Sequence, residues 1–487
     1  MKKVVLSAAA LIFAVMSYAQ TPTPPQQAQV VAPLPGAAAG ANTGESIQNG
    51  NSNKVKVQQA GVSNSAKTVQ NDGTGSGDNR AWITQSGWFV GQNNAAEMNQ
   101  SGSNNQSRSI QFGDDNSALT NQGQTDASSE GNRARIEQRG LYYFEGDNNS
   151  AQIDQDGKFN KATTLQYDEN NNALTDQDGD FNKSKIVQNS AWGGSGHNAD
   201  VKQAGEDNES WVSQTGQSTN NAIALQIGEG NKSLQYQTNS GYGNAANDAL
   251  VTQGDGIIGT DLNGSIFFGG LVGVDSAIQA GGSNGPGSDN GIAFQFQNGS
   301  GNDAEIHQFG SDATSSNYAQ QNQWGEGNDA YIVQNAYGTS FGGNNYANQL
   351  QSGDSNEAGV GQNGIDHKAY QRQFGSNNQA LSTQITKGNL VNTYQAGNNN
   401  VAHTAQRGKF NQALVVQKGG HSYSVSQNLG LAPGSMAGGN NIADILQLGP
   451  GGNFHTDGED CEFPDQLDPT RNYHVQGFNI DEVCPDC

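Results

Sequence analysis

A single seven-residue motif, returning again and again between residues 46 and 449, constrains this chain more than any other feature. It reads Asn-x-Ala-x-(small or β-branched)-x-Gln, usually followed by x-Gly, as in Asn79-Arg-Ala81-Trp-Ile83-Thr-Gln85-Ser-Gly87 and Asn132-Arg-Ala134-Arg-Ile136-Glu-Gln138-Arg-Gly140. Later copies are Asn302-Asp-Ala304-Glu-Ile306-His-Gln308 and Asn411-Gln-Ala413-Leu-Val415-Val-Gln417. Thirty copies end in Gln; Asn stands six residues before it in most, and His197, His367 and His421 take that place in three. The internal period is two, that of a strand whose alternate residues share one face. Successive Gln residues are most often 11 apart, as from Gln362 through Gln373, Gln384, Gln395 and Gln406 to Gln417. Seven residues of strand and a four-residue Gly/Asp/Asn turn fill that interval, so two units make a strand–turn–strand–turn coil of about 22 residues.

A fixed short period of this kind predicts a solenoid, here an all-β one with two sheets and cross-β stacking. Stacked coils set Asn above Asn and Gln above Gln, so that Asn79, Gln85, Asn132, Gln138, Asn160, Gln166, Asn302, Gln308, Asn400, Gln406, Asn411 and Gln417 are expected to form inward amide ladders. Between them, Ala81, Ile83, Ala134, Ile136, Ala304, Ile306, Ala413 and Val415 are expected to interdigitate. In 22 of the 30 copies the second inward residue is Ala, which fits sheets only ~10 Å apart. Some fifteen coils at ~4.8 Å give a rod roughly 70 Å long. The irregular stretch 254–290 is read as a degenerate coil.

Composition alone would have given a different answer. Only 33% of residues are apolar and 66 are Gly, which by itself suggests disorder, because so little apolar surface offsets so much ordering entropy. Periodicity overrules this, since inward polar groups that stack are all paired. The net charge of −23 disfavours a nucleic-acid partner.

The first 19 residues carry Lys2 and Lys3, an apolar run at 4–15 and small residues Ser17 and Ala19 before Gln20. That is the pattern of a cleaved signal peptide, with a run too short to remain inserted in a membrane. Residues 20–45 are rich in Pro, Gln and Ala and read as a flexible linker or export segment. After residue 449 the repeat stops, and an acidic tail, 450–487, holds Cys461, Cys484 and Cys487. A disulfide with one leftover thiol, an end cap and a zinc site are the readings open for it.

The string Gln155-x-Gly157-x-x-Asn160-x-Ala162-x-x-x-Gln166 resembles the repeat of curlins, the major subunits of bacterial curli fibres, and nearly all of 46–449 follows it. With about fifteen coils the chain would be an unusually long member of that family. The resemblance implies a secreted subunit that polymerises end to end as a functional amyloid. It also implies two partners besides the chain itself: a minor nucleator subunit and a dedicated outer-membrane secretion pore. The expected location is an extracellular fibre at the bacterial cell surface, serving biofilm matrix and adhesion.

Polymerisation is also what the physics of a solenoid expects, because both ends expose unpaired strand edges, here near Val55 and Val57 and near Ala443 and Ile445. Catalysis is not expected: outward acids such as Glu97, Glu137, Asp154 and Asp176 form no recognisable pair, and no cofactor or metal motif is present. Trp82, Trp211 and Trp324 are expected to pair with outward neighbours along the sheets. The alternative function is that of a monomeric secreted solenoid adhesin.

Overall fold

The computed structural model describes residues 26–31, 41–71, 77–86, 93–124, 128–140, 148–190, 194–239, 245–254, 291–309, 317–335, 343–428 and 439–448. The segment 1–19 read as a signal peptide, the stretch 255–290, the Cys-bearing tail and the longer connections at 72–76, 141–147 and 336–342 lie outside the described residues.

The period-two pattern becomes thirty strands, from β1 (Thr43–Asn49) to β30 (Ile442–Leu448). Most have seven residues, the length of one motif copy. They fall into two compact units, which among the described residues comprise 26–249 with 298–301, and 250–297 with 302–448. The division falls within β17 (Asn247–Gln253) and near the end of β18 (Ile292–Ser300).

Each unit is a two-sheet parallel β-solenoid. Within each unit odd-numbered strands pair in parallel with the next odd-numbered strand, and even-numbered strands with the next even one, as β8 (Arg133–Arg139) with β10 (Lys161–Tyr167) and β19 (Asp303–Phe309) with β21 (Asp329–Asn335), so the chain alternates between two sheets. Register follows the motif: Ala134 lies beside Ala162, Ile136 beside Thr164 and Gln138 beside Gln166. The same holds where Ala304 meets Ala330, Ile306 meets Ile332 and Gln308 meets Gln334. A slip of one residue would turn the whole inward row to solvent, so register is strongly specified.

The recurring step between equivalent residues on neighbouring coils is 22, as from Gln48 to Gln70. Insertions at the turns lengthen it to 26 between Gln85 and Gln111 and to 33 between Gln122 and Gln155, without disturbing either ladder. The extra residues therefore fall between strands, and the strands keep their register.

The cores are narrow. In the first unit Ala81, Ile83, Ala96, Met98, Ala134, Ile136, Ala151 and Ile153 form one buried cluster; in the second Ile306, Ala319, Ile332, Ala347 and Val360 do the same. Full burial of an Ile contributes about 2 kcal/mol. Ala contributes less, and its role is to let the two sheets approach.

Residues 26–31 depart from the expectation of a flexible linker. They lie across the outer face of the odd-numbered strands of the first unit. The Gln26 amide donates to Asp200 Oδ2 (3.1 Å), Ala28 to Asn172 Oδ1 (3.0 Å), Gln29 to Gln152 Oε1 (2.8 Å) and Val31 to Ser117 Oγ (2.8 Å). Val31 is buried against the outward Ala95 and Leu119. An extended chain with free N–H groups binds here because consecutive coils present outward oxygens at a spacing that an extended backbone matches. The first strand also opens at Thr43, slightly earlier than residue 46.

Candidate assembly interface

The inward polar rows are the chemically distinctive part of the molecule. Each Gln Nε2 donates to the Gln Oε1 of the following coil: Gln85 to Gln111 (2.8 Å), Gln138 to Gln166 (2.9 Å), Gln166 to Gln188 (2.9 Å), Gln308 to Gln334 (2.9 Å), Gln406 to Gln427 (2.8 Å) and Gln417 to Gln447 (2.8 Å). The same nitrogen reaches across to main-chain oxygens of the opposite sheet and turn, as Gln138 does to Ser117 O (2.9 Å) and Asn149 O (3.0 Å). A Gln row therefore holds coil to coil and sheet to sheet at once. It is buried with its hydrogen bonds made, the condition under which a polar core costs little.

The Asn row works differently. Asn79 Oδ1 accepts the main-chain N–H of Asn105 (3.0 Å), Asn132 Oδ1 that of Asn160 (2.8 Å) and Asn302 Oδ1 that of Asn328 (3.1 Å). The Asn Nδ2 group donates to a glycine carbonyl in the turn of the following coil, Asn132 to Gly157 (2.8 Å), Asn160 to Gly179 (2.6 Å) and Asn302 to Gly325 (3.0 Å). Amide–amide contacts run along much of the row from the later coil to the earlier, as from Asn328 to Asn302 (3.1 Å), from Asn400 to Asn378 (2.8 Å) and from Asn411 to Asn389 (3.0 Å). Asn is thus both a ladder and a turn clamp, whereas Gln is a ladder that also ties the two sheets together.

This clamp explains the glycine two residues after the Gln. Gly179 has φ +111°, and a Cβ there would run into the carbonyl of Gly205, which sits in the same turn position one coil on. Glycine provides both the left-handed backbone and the close approach. The residue just before each Asn is also often left-handed, and Asn, Asp or Ser fill most of these positions, including Asn104 (φ 58°) and Asp115 (φ 54°). Phe159, Phe181 and Phe410 are exceptions, each exposed, with Phe159 stacked on Phe181 at 5.3 Å.

Two histidines stand in for Asn without breaking the row. Asn220 N–H donates to His197 Nδ1 (3.2 Å) and Asn389 N–H to His367 Nδ1 (3.3 Å). Their Nε2 atoms lie 3.0 Å from Asn189 O and 3.2 Å from Asn363 O, so a neutral ring with its proton on Nε2 fits both contacts. Burial pushes both rings down to about 4, in keeping with a neutral structural role. His421 extends the row to the last coil, where its N–H donates to Asn400 Oδ1 (3.0 Å).

Among the described residues, β1 and β2 (Lys54–Ala60) of the first unit each pair on one side only; Val55 is half-buried and Val57 37% exposed. Among the described residues, β29 (Ser422–Gln427) and β30 of the second unit do the same. There Ala443 and Ile445 are half-buried against Val425, and Ile442 is 72% exposed. These edges combine unpaired main-chain groups with apolar side chains.

Outward side chains are mixed. Lys185 lies over Trp211 (4.7 Å), Trp324 meets Phe296 (5.6 Å), and Trp82 is half-buried on the outer face of its strand. Burial, then the Asp154 charge, raises Asp176, which pairs directly with Asp154; burial is also the main cause raising Asp154. Among the described residues, no three His, Cys, Asp or Glu side chains gather as a metal site would require.

Sequence reasoning missed one inward row. In β16 (Lys232–Asn239), β18, β20 (Tyr318–Glu326), β22 (Tyr346–Ser352) and β24 (Lys368–Phe374) the residue two before the ladder Gln is itself Gln. In the second unit these form another ladder, from Gln295 to Gln321 (3.1 Å), Gln349 (3.0 Å) and Gln371 (2.9 Å). The recurring Gln-x-Gln dipeptide spacing was the available signal.

The fold and its rows define a parallel two-sheet β-solenoid with amide-laddered cores, whose first and last strands have one strand neighbour each among the described residues. Neither a scan against protein-family models nor a search of curated proteins finds a match for the chain.

Proposed function

We propose that this chain is an exported structural subunit of curlin type, which adds end to end to further copies of itself and builds an extracellular fibre. The observation that carries this reading is the polarity of the Gln rows. Donation runs from the earlier coil to the later one, so the rows open with acceptor oxygens on Gln48 and Gln59 and close with donor amides on Gln427 and Gln447. One open end therefore complements the other, and strand addition would continue both the backbone pairing and the amide ladders. Secretion through an outer-membrane pore, seeding by a minor nucleator and a role in biofilm matrix and adhesion belong to the same reading, supported by the resemblance of the repeat.

Electron microscopy and fibre diffraction of the mature protein at neutral pH test it. Long fibrils with a meridional spacing of ~4.8 Å are expected. Stable single particles would refute polymerisation and favour a monomeric adhesin. Ile445→Pro, which removes a main-chain donor from the last strand, is expected to suppress fibrils, whereas the outward Lys56→Gln leaves them intact. Equal fibre yield from both variants counts against addition at the ends.

A further inference from the structure

We infer that the outer face of the odd-numbered strands from β5 (Ala95–Ser101) to β13 (Asn198–Glu206) is a docking track for an extended polypeptide, and that residues 26–31 are its resident occupant, held only when the first unit is folded. Three observations support this. Four main-chain N–H groups of the segment are received by side-chain oxygens of four different strands, those carrying Ser117, Gln152, Asn172 and Asp200. The two side chains facing the sheet, Ala28 and Val31, are 5% and 7% exposed, while Val30 points away at 71%. Lys202 Nζ also donates to Gln26 Oε1 (2.7 Å), fixing the end of the segment farthest from β1.

Recognition is mainly through the backbone and two small apolar contacts, with side-chain bonds only at Gln26 (to Lys202) and Gln27 (to Asn198 Oδ1, 3.2 Å), so the track reads an extended conformation more than a sequence. Its oxygens lie on separate coils, up to 83 residues apart between Ser117 and Asp200, and line up only after β7 (Ser117–Gln122), β9 (Ser150–Asp156), β11 (Asn172–Asp180) and β13 have stacked. In the unfolded chain the segment is free; in the folded chain it is sequestered. Any partner that reads residues 26–31 would thereby distinguish unfolded subunits from folded ones. This holds whether or not the chain polymerises.

Hydrogen exchange on the intact chain tests the assignment. The amides of Gln26, Ala28, Gln29 and Val31 are expected to be protected, and the pair of outward changes Asn172→Ala and Asp200→Ala should speed exchange at Gln26 and Ala28 by about tenfold or more. Inward strand amides such as those of Ile153 and Ile186 should be unaffected. A labelled peptide of residues 24–33 should bind a chain deleted for those residues and not the intact chain. Unprotected segment amides in the intact chain overturn the proposal, as does equal peptide uptake by both chains. Uptake that leaves the intact chain's own segment protected shows a second site and overturns the track. Should the deleted chain fail to fold, the exchange measurement on the intact chain decides alone.

Discussion

The two units solve the same packing problem with different chemistry in one row. Along the even-numbered strands of the first unit, the position two before the ladder Gln runs Ile83, Ser109, Ile136, Thr164, Ile186 and Val212, and turns to Gln only at Gln235 in β16. In the second unit the same row runs Gln321, Gln349 and Gln371 before returning to Thr393, Val415 and Ile445. Gln321 and Gln349 reach over to Glu305 O (3.0 Å) and Tyr331 O (3.1 Å) of the opposite sheet. The difference teaches that the coil accepts either an aliphatic side chain or an amide there. What it demands of an amide is a like neighbour in register. An aliphatic residue needs no partner; a Gln is stable only as a member of a row.

The largest effect should come from interrupting that row. Gln321→Leu removes the donor to Gln349 Oε1 and to Glu305 O inside a core where Gln349 is fully buried, at a cost of about 4 kcal/mol. Replacing Gln295, Gln321, Gln349 and Gln371 together by Leu or Ile should cost much less than the sum of the single changes, since none of these four amides then faces an apolar neighbour within the second unit. Hydrogen exchange resolved by unit is the measurement, because a chain with two compact units has no single unfolding free energy. Additive costs would show that rows are not cooperative.

The fold was legible in the sequence to the extent that it is periodic. Inward and outward faces, register, the position of Ile136 above Thr164 and the substitution of His367 for Asn all follow from a period of two within a beat of 11. The extra Gln row was hidden because a motif written as an average, small or β-branched at that position, conceals a local switch. The role of Gly179 was invisible because it lies in the relation between one turn and the next. The docked segment left no signal at all: Asp200 and Asn172 sit at variable outward positions, and the groups they bind are main-chain amides that every non-proline residue carries.

Acidity should separate the buried histidines from the buried acids, and with opposite signs. His367 is held at about 4 by burial, below its ordinary value, so its contribution to stability is complete above pH 6.5 and is lost as pH falls toward 4, on the order of 3 kcal/mol. Asp329 in the second unit is pushed up to about 7 by burial and by the charges of Glu357 and Glu305, so it favours the folded state below pH 4 and ceases to do so as pH rises through 7. The variant His367→Asn should therefore remove part of the acid loss, and Asp329→Asn part of the loss toward neutral pH. Stability measured against pH for the three chains checks both slopes; parallel profiles would remove these residues from the account.

Turn glycines should matter equally in both units, which makes them a control on the comparison. Gly205 in the first and Gly375 in the second have φ near +111° and +107°, and each faces the carbonyl of a stacked glycine, that of Gly228 and of Gly397. Alanine at either site is expected to cost about 2 kcal/mol, by strain in the left-handed region and by pushing the coils apart. A cost in one unit alone would mean that the turns, and not just the inward row, differ between them.

The smallest effect should be a gain, and it belongs to the first unit. Its aliphatic row carries two hydroxyls, Ser109 Oγ and Thr164 Oγ1, that are buried with no hydrogen-bond partner. In the second unit the corresponding amides find each other; here the neighbours are Ile136 and Ile186, which offer nothing to bind. Thr164→Val keeps the shape, removes the stranded hydroxyl and should stabilise the first unit by about 1 kcal/mol. Slower exchange at Ala162 and Gln166 is the expected reading. Faster exchange would mean that the hydroxyl is satisfied in solution, and the contrast between a partner-free aliphatic row and a partner-dependent amide row would have to be redrawn.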